Sequence, residues 1–465
     1  MLSGSEESTR SASGRSRRTA EAAASSPRPE SRSAILTGPS VRRARTAAVT
    51  ARCPPVRAPL RQTAPVSVPT WAALAAFGAW TWLLLGHGFF WRTDVRLPPP
   101  PDGVPPGGGT SGGDRAGPVR WPPVAVVVPA RDEAGVLPHS LPSLLAQKYP
   151  GRAEVFLVDD GSTDGTGAVA RALADGEPGG LPLTVDSPGP PPPGWTGKLW
   201  AVRHGTALAR ARTDPAYLLL TDADIAHHPD SLRELVSAAR SADLELVSLM
   251  ARLRTDGGWE RLLVPAFVYF FGQLFPFRRV NRPSARTAAA AGGCVLLRAD
   301  VAVRERLPDS IRGAVIDDVT LARAVKRGGS GRVWLGLADG VVSVRPYVGL
   351  REPWDMVARS AYAQLRHSPA VLAATVAGLA LVYLVPPAAA CLGAVTGDAA
   401  CAAAGAAAWA VMAGTYLPML RLYGLSPWRA LTLPLTAALY LLMTVDSAVR
   451  HHRGRGAAWK GRTYP

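Results

Sequence analysis

Cysteine is scarce in this chain. Its four cysteines in 465 residues, Cys53, Cys294, Cys391 and Cys401, form no CxxC pair and no zinc-ligand spacing. That excludes a zinc ribbon and a disulfide framework, and it suits a reducing compartment. Lysine is equally rare. Only Lys148, Lys198, Lys326 and Lys460 occur, so the formal charge of +17 rests mainly on arginine. No GxxxxGK[ST] run is present, which excludes a P-loop. A secretory signal is not expected, because the charged stretch ahead of the first apolar run is too long.

Acid is missing where base is concentrated. Residues 1–70 hold twelve Arg against four Glu, and from Arg450 onward five basic residues meet no acid. Both runs flank apolar stretches, so the expected partner is a membrane surface and not nucleic acid. Codon bias in a GC-rich genome accounts for part of the arginine. Residues 1–68 are rich in Ser, Arg, Ala and Pro and show no period of 2 or 3.6. They read as a disordered basic tail or as an over-long translation start.

Hydropathy divides the rest. Residues 71–91, WAALAAFGAWTWLLLGHGFFW, are nearly free of charge and long enough to cross a bilayer. Residues 92–121 form a Pro/Gly-rich linker. From Val124 short apolar runs (VAVVV, EVFLV, YLLLT, LELVSLM) alternate with helical patterns, which predicts an α/β domain with a mostly parallel sheet over residues 122–350. Residues 262–277, LLVPAFVYFFGQLFPF, read equally as an interfacial helix or a core helix. Residues 351–369 are membrane-proximal. Residues 370–449 read as about three membrane helices, near 370–395, 400–420 and 430–449, with Pro386 and Pro387 able to divide the first. A basic tail, 450–465, follows.

Three acidic motifs stand at strand or helix ends. In Val158-Asp159-Asp160-Gly161-Ser162-Thr163-Asp164-Gly165-Thr166 an apolar strand runs into two carboxylates and a tight turn. Carboxylates there can accept from a base N–H or a ribose hydroxyl, and the helix start favours an anion. Helix capping is the plainer reading. Thr221-Asp222-Ala223-Asp224 follows the strand YLLL, and two carboxylates at i and i+2 can share Mg²⁺ or Mn²⁺. Asp317-Asp318 opens the helix VTLARAVKR. A carboxylate there can take a proton from an acceptor hydroxyl, or it can simply cap the helix. Gly194-Trp195-Thr196-Gly197-Lys198 offers a lysine to a diphosphate, and Ala291-Gly292-Gly293-Cys294 reads as a close-approach turn, with Cys294 a packing residue.

The order of these segments, with Val128-Pro129-Ala130-Arg131-Asp132-Glu133 at the front, resembles family 2 glycosyltransferases over about residues 122–350. The resemblance implies a GT-A fold, with membrane helices before and after it in this chain. It implies that Asp160 contacts a nucleotide base, that Asp222 contacts the nucleotide-sugar, and that Asp224, with Asp222, holds a divalent metal. It also implies donor contacts from Pro129, Ala130, Arg131, Glu133, Asp159, Lys198, Gly292 and Gly293, and a catalytic role for Asp318 beside Asp317. The phrases PPGWTGKLWAV, LLTDADI, LVPAFVYFF and RSAYAQLRHSP resemble the bacterial hopene-associated glycosyltransferases more closely. That implies a lipid acceptor near hopanoid metabolism. Processive family members carry QxxRW after the third acid. Here Gln364-Leu365-Arg366-His367 has the wrong spacing and no Trp, which argues against a polysaccharide synthase. Arg359 and Arg366 then serve as phosphate contacts or as basic anchors at the membrane.

The expected reaction is an inverting, metal-dependent transfer from a nucleotide-sugar, a UDP-sugar first, to a lipid. The rivals are a polyprenyl-phosphate acceptor, which needs no base, and a non-catalytic membrane scaffold that keeps the fold. The expected place is the inner (plasma) membrane, multi-pass, with the catalytic domain cytoplasmic. One N-terminal and three C-terminal spans would then put both basic tails outside, against the positive-inside tendency. Either the first seventy residues matter little, or one apolar stretch does not cross.

Overall fold

The computed structural model describes residues 67–97 and 120–454, and the backbone of 457–459 and 462–464. The readings of the tail before Ser67, of Cys53 and of most of the Pro/Gly linker fall outside these residues. Eight strands form one sheet: β1 Val124–Ala130, β2 Ala153–Asp159, β3 Leu183–Asp186, β4 Tyr217–Thr221, β5 Ile225–His227, β6 Leu246–Arg252, β7 Cys294–Arg298 and β8 Val333–Ser343. Their order is β3-β2-β1-β4-β7-β6-β8-β5. The β3-β2, β2-β1, β1-β4 and β6-β8 pairs are parallel, and β4-β7, β6-β7 and β5-β8 are antiparallel.

The strongest apolar runs are the central strands because both faces are covered. All seven residues of β1 are buried, and so are the first six of β2. The Gly197–Thr213 helix packs on them. It starts where Thr196 accepts from the Leu199 N–H at 3.3 Å. At Gly205 its backbone lies so close that a Cβ would meet Val127 Cγ1 at 2.6 Å and Val158 Cγ2 at 2.8 Å. From β1 the chain moves outward to β2 and β3 and then returns to β4 on the other side of β1. This reversal leaves a crevice at the carboxyl ends of β1, β2 and β4, the position where open α/β sheets bind ligands.

Among the described residues, four helical segments are long and apolar enough to cross a membrane: Val68–Leu85, Pro369–Thr396, Ala399–Leu422 and Pro427–His452. The first ends earlier than residue 91. Gly86 caps it, and Gly88, at φ +67°, turns the chain so that His87 Nε2 meets the Gln273 carbonyl at 2.8 Å. In the second, residues Ala380–Leu384 are π-helical just ahead of Pro386 and Pro387, so the prolines distort the segment without ending it. Asp398 ties the first helix to the second and third. Its Oδ2 accepts from Ser67 Oγ at 3.0 Å and Thr70 Oγ1 at 2.8 Å, and its Oδ1 accepts from the Cys401 N–H at 3.0 Å. Backbones approach closely there. A Cβ on Gly405 would lie 2.5 Å from the Ala390 nitrogen.

The apolar run at 262–277 resolves into the Gly258–Leu274 helix, and it belongs to the core. Leu263, Val264, Ala266, Val268 and Tyr269 are buried. Tyr269 Oη and Thr415 Oγ1 share a hydrogen bond of 2.7 Å, and Tyr383 donates to Gln273 Oε1 at 2.5 Å. This helix joins the sheet to the apolar segments.

Gly205→Ala should therefore lower stability by about 1–3 kcal/mol through overpacking. The thermal midpoint of the purified full chain measures it, and an unchanged midpoint would show that β1 and the helix are loosely joined.

Candidate active site

Three loops meet at the crevice. The loop after β1 is stitched to the loop after β2. Asp132 N donates to Ser162 Oγ at 2.9 Å, and Thr163 N donates to Asp132 Oδ1 at 2.9 Å. The Ala134 N–H donates to Asp164 Oδ2 at 2.9 Å. Asp159 Oδ1 accepts from the Ser162 N–H at 2.8 Å, which shapes the turn. Asp160 is buried, and the Arg131 guanidinium donates to its carbonyl. Pro129 and Ala130 end β1 directly beside Val158 and Asp159 of β2. Thus Asp160 and Arg131 sit together at one end of the crevice.

The other two acidic motifs converge on Lys198. Its Nζ lies 2.9 Å from Asp222 Oδ1 and 3.2 Å from Asp317 Oδ2. Asp318 stands beside this pair: its Oδ2 accepts from the Gly292 N–H at 3.0 Å and its Oδ1 from the Val319 N–H at 2.7 Å. The Gly292 backbone lies close to both groups: a Cβ there would come within 3.3 Å of Lys198 Nζ and 3.5 Å of Asp318 Oδ2. Gly293 packs instead against Ile225, and its carbonyl accepts from Thr221 Oγ1 at 2.8 Å. Residues from β4, the Gly197–Thr213 helix, the turn before β7 and the Asp317–Gly328 helix thus share one cavity, with Pro129 on its wall.

Charge is balanced locally, not cancelled. Burial opposes the charge of Lys198, but Asp222 and then Asp317 more than offset it and hold the ammonium protonated. Burial raises Asp222, Lys198 opposes that rise, and Asp224 adds to it. Asp318 is pushed up to about 7, first by burial and then by Asp317, against the pull of Lys198. Cys294 is a packing residue in the core and not part of the cavity lining, its thiol raised to about 12 by burial.

Asp224 faces a separate cation. Ser343 Oγ donates to its Oδ2 at 2.7 Å, and Arg345 Nε lies 3.5 Å from the same oxygen. Arg345 also donates to Glu133 Oε1 and Oε2 at 2.6 Å each. The Glu133 N–H donates to Thr166 Oγ1 at 2.8 Å. Glu133 therefore holds the β1 loop to Arg345. Ser343 and Arg345 carry no signal in the sequence, because they lie at the end of, and just after, a strand that two glycines interrupt. Among the described residues no three His, Cys, Asp or Glu side chains cluster as a metal cage.

Residues 125–304 match the model of the family described as "Glycosyl transferase family 2". No curated protein matches the sequence. Among solved structures, the chain is similar to the mannosyltransferase PcManGT from Pyrobaculum calidifontis, in complex with GDP-Man and Mn²⁺, at 19% identity and TM-score 0.47, covering 83% of this chain and 100% of that one. It is similar to S. aureus TarS at 15% identity and TM-score 0.35, over 51% of this chain and 39% of that one. Glucosyl-3-phosphoglycerate synthase from Mycobacterium tuberculosis, in complex with Mn²⁺ and UDP-Glc, aligns at 18% identity and TM-score 0.33, over 51% and 77%. The fold is an α/β domain of GT-A type, and within it residues 125–304, less than half of the chain, match the glycosyltransferase family 2 model, a match that supports a glycosyltransferase activity.

Proposed function

We propose that this chain transfers a sugar from a nucleotide-sugar, a UDP-sugar first among the candidates, to the hydroxyl of a membrane lipid, with inversion at the anomeric carbon. The observation that carries the proposal is the Lys198 ammonium held between Asp222 and Asp317, with Asp318 beside it. Asp160 and Arg131 lie at the position suited to the nucleoside, and Lys198 at the position suited to the diphosphate. Asp222 and Asp224, at i and i+2 after β4, fit a hard divalent cation such as Mg²⁺ or Mn²⁺, which takes one or two carboxylates and completes its shell with water and substrate phosphate. When bound, that ion neutralises charge on the departing diphosphate.

The chain's own residues do the rest. Lys198 stays protonated and stabilises the leaving group. Asp318, with a pKa near physiological pH, accepts the proton of the acceptor hydroxyl. The Gly292 N–H fixes the orientation of that carboxylate. Four long apolar segments among the described residues support a multi-pass membrane protein; this reading sets the site on the cytoplasmic face of the plasma membrane, where nucleotide-sugars and a lipid acceptor meet. A hopanoid-related isoprenoid is the acceptor class that the subfamily resemblance favours.

The decisive assay offers membranes containing the chain a panel of radiolabelled UDP- and GDP-sugars with Mg²⁺ or Mn²⁺, followed by lipid extraction. Label in the lipid fraction that disappears with Asp224→Ala supports the proposal, and no label with any donor counts against it. Asp318→Asn should lower kcat by about 10²–10⁴ if the acceptor is a hydroxyl. A polyprenyl phosphate is already anionic, and for that acceptor the same variant should cost little.

The sign of the pH dependence follows from the raised carboxyl. Asp318 works only when ionised, so transfer should rise with pH through about 7 and fall below it. A rate that stays flat from mildly acidic to mildly alkaline pH would remove Asp318 from the role of base.

A further inference from the structure

The Asp317–Gly328 helix carries a second charged feature, away from its carboxylates. Thr320, Arg323, Ala324 and Arg327 lie at i, i+3, i+4 and i+7 and share one face. That face and Arg366 line an open pocket of about 440 Å³. Three of its seven lining residues are arginines and none is acidic. Acids close by in sequence are engaged elsewhere: Asp309 pairs with Arg203 at 3.0 Å, and Glu305 with Arg304 at 2.8 Å. Burial, and then the charges of Arg327 and Arg366, hold the Arg323 guanidinium below its ordinary value. Three like charges thus face one space with no counter-charge from the chain among the described residues.

The backbone makes this arrangement deliberate. Arg366 and His367 both lie in the left-handed region, at φ 54° each, where L-residues are rarely found. The turn is fixed by Arg366 N donating to the Ala363 carbonyl at 3.0 Å and His367 N to the Tyr362 carbonyl at 3.1 Å. It brings Arg366 from beyond the Arg351–Gln364 helix to the same pocket as Arg323 and Arg327. Two residues later Ser368 caps the apolar segment Pro369–Thr396. The pocket therefore opens at the foot of a candidate membrane helix. Along its own helix it lies up to about 14 Å from Asp318, at 1.5 Å per residue.

We propose that Arg323, Arg327 and Arg366 form a binding site for a phosphate group, the headgroup of an anionic lipid standing at the foot of the Pro369–Thr396 segment. Planar guanidiniums match phosphate oxygens in pairs, and three of them suit a headgroup better than a single anchoring charge would. Free inorganic phosphate offers the same chemistry, and position beside an apolar helix favours the lipid. The site stands apart from the transfer chemistry, so its failure would leave that reading untouched.

The test uses the purified full chain in a neutral detergent. Its thermal midpoint is followed with short-chain phosphatidylglycerol, short-chain phosphatidylcholine and inorganic phosphate. Phosphatidylglycerol should raise the midpoint by about 4 °C or more at saturation, and phosphatidylcholine should not. In R327Q/R366Q the affinity for phosphatidylglycerol should fall at least about tenfold. Both side chains are exposed, so the change removes little packing. R323Q gives the same comparison should the double variant prove unstable. An equal shift from inorganic phosphate at the same concentration overturns the lipid assignment. No shift with either anion, or a shift that survives these substitutions, overturns the site itself.

Discussion

One ammonium group organises the crevice. Lys198 stands between Asp222 and Asp317, two carboxylates that would otherwise repel each other. They come from segments 95 residues apart in the chain. The Gly197–Thr213 helix delivers the lysine at its first turn, and the helix can do so because Gly205 lets it lie against β1 and β2. The position of the charge thus depends on a packing contact two turns away. Both carboxylates depend on it in turn, since each is partly withdrawn from water.

The second arrangement is a bridge and not a cluster. Arg345 reaches both Asp224 and Glu133, and so connects the end of β8 to the ends of β4 and β1. Asp224 keeps a neutral partner, Ser343, and a cation on the same oxygen. Ser343 and Arg345 together hold that carboxylate in position.

The parts of the fold that were legible in the sequence have a physical reason to be so. VAVVV, EVFLV and YLLLT are apolar on both faces because covered parallel strands must be, and they are β1, β2 and β4. The α/β class followed from them. The strand β8 was not anticipated, because Gly336 and Gly340 interrupt its pattern. Each glycine is there for close approach: a Cβ would meet the Val95 carbonyl at 3.1 Å or His228 Cβ at 2.7 Å. The three-residue β5 and the half-exposed β3 were too short and too polar to show any period. Within the site, Lys198, Asp222, Asp317 and Asp318 were marked by motif, and the structure brings these four together. Arg345 could not be marked. Its meaning lies in a pairing with Glu133 across 212 residues, and a single sequence does not contain that distance.

The apolar helices carry a consequence for the order in which the chain is made. Trp80 is fully buried, and its indole N–H donates to the carbonyl of Val382 at 2.6 Å, inside the π-helical turn. The donor precedes the acceptor by 302 residues. At ordinary rates of synthesis that is a delay of about 15–60 s between the two leaving the ribosome. During this interval the first helix has neither Val382 nor Asp398 to hold it, and the whole catalytic sheet is translated between them. These two contacts of the first helix can therefore form only after the catalytic sheet has been translated.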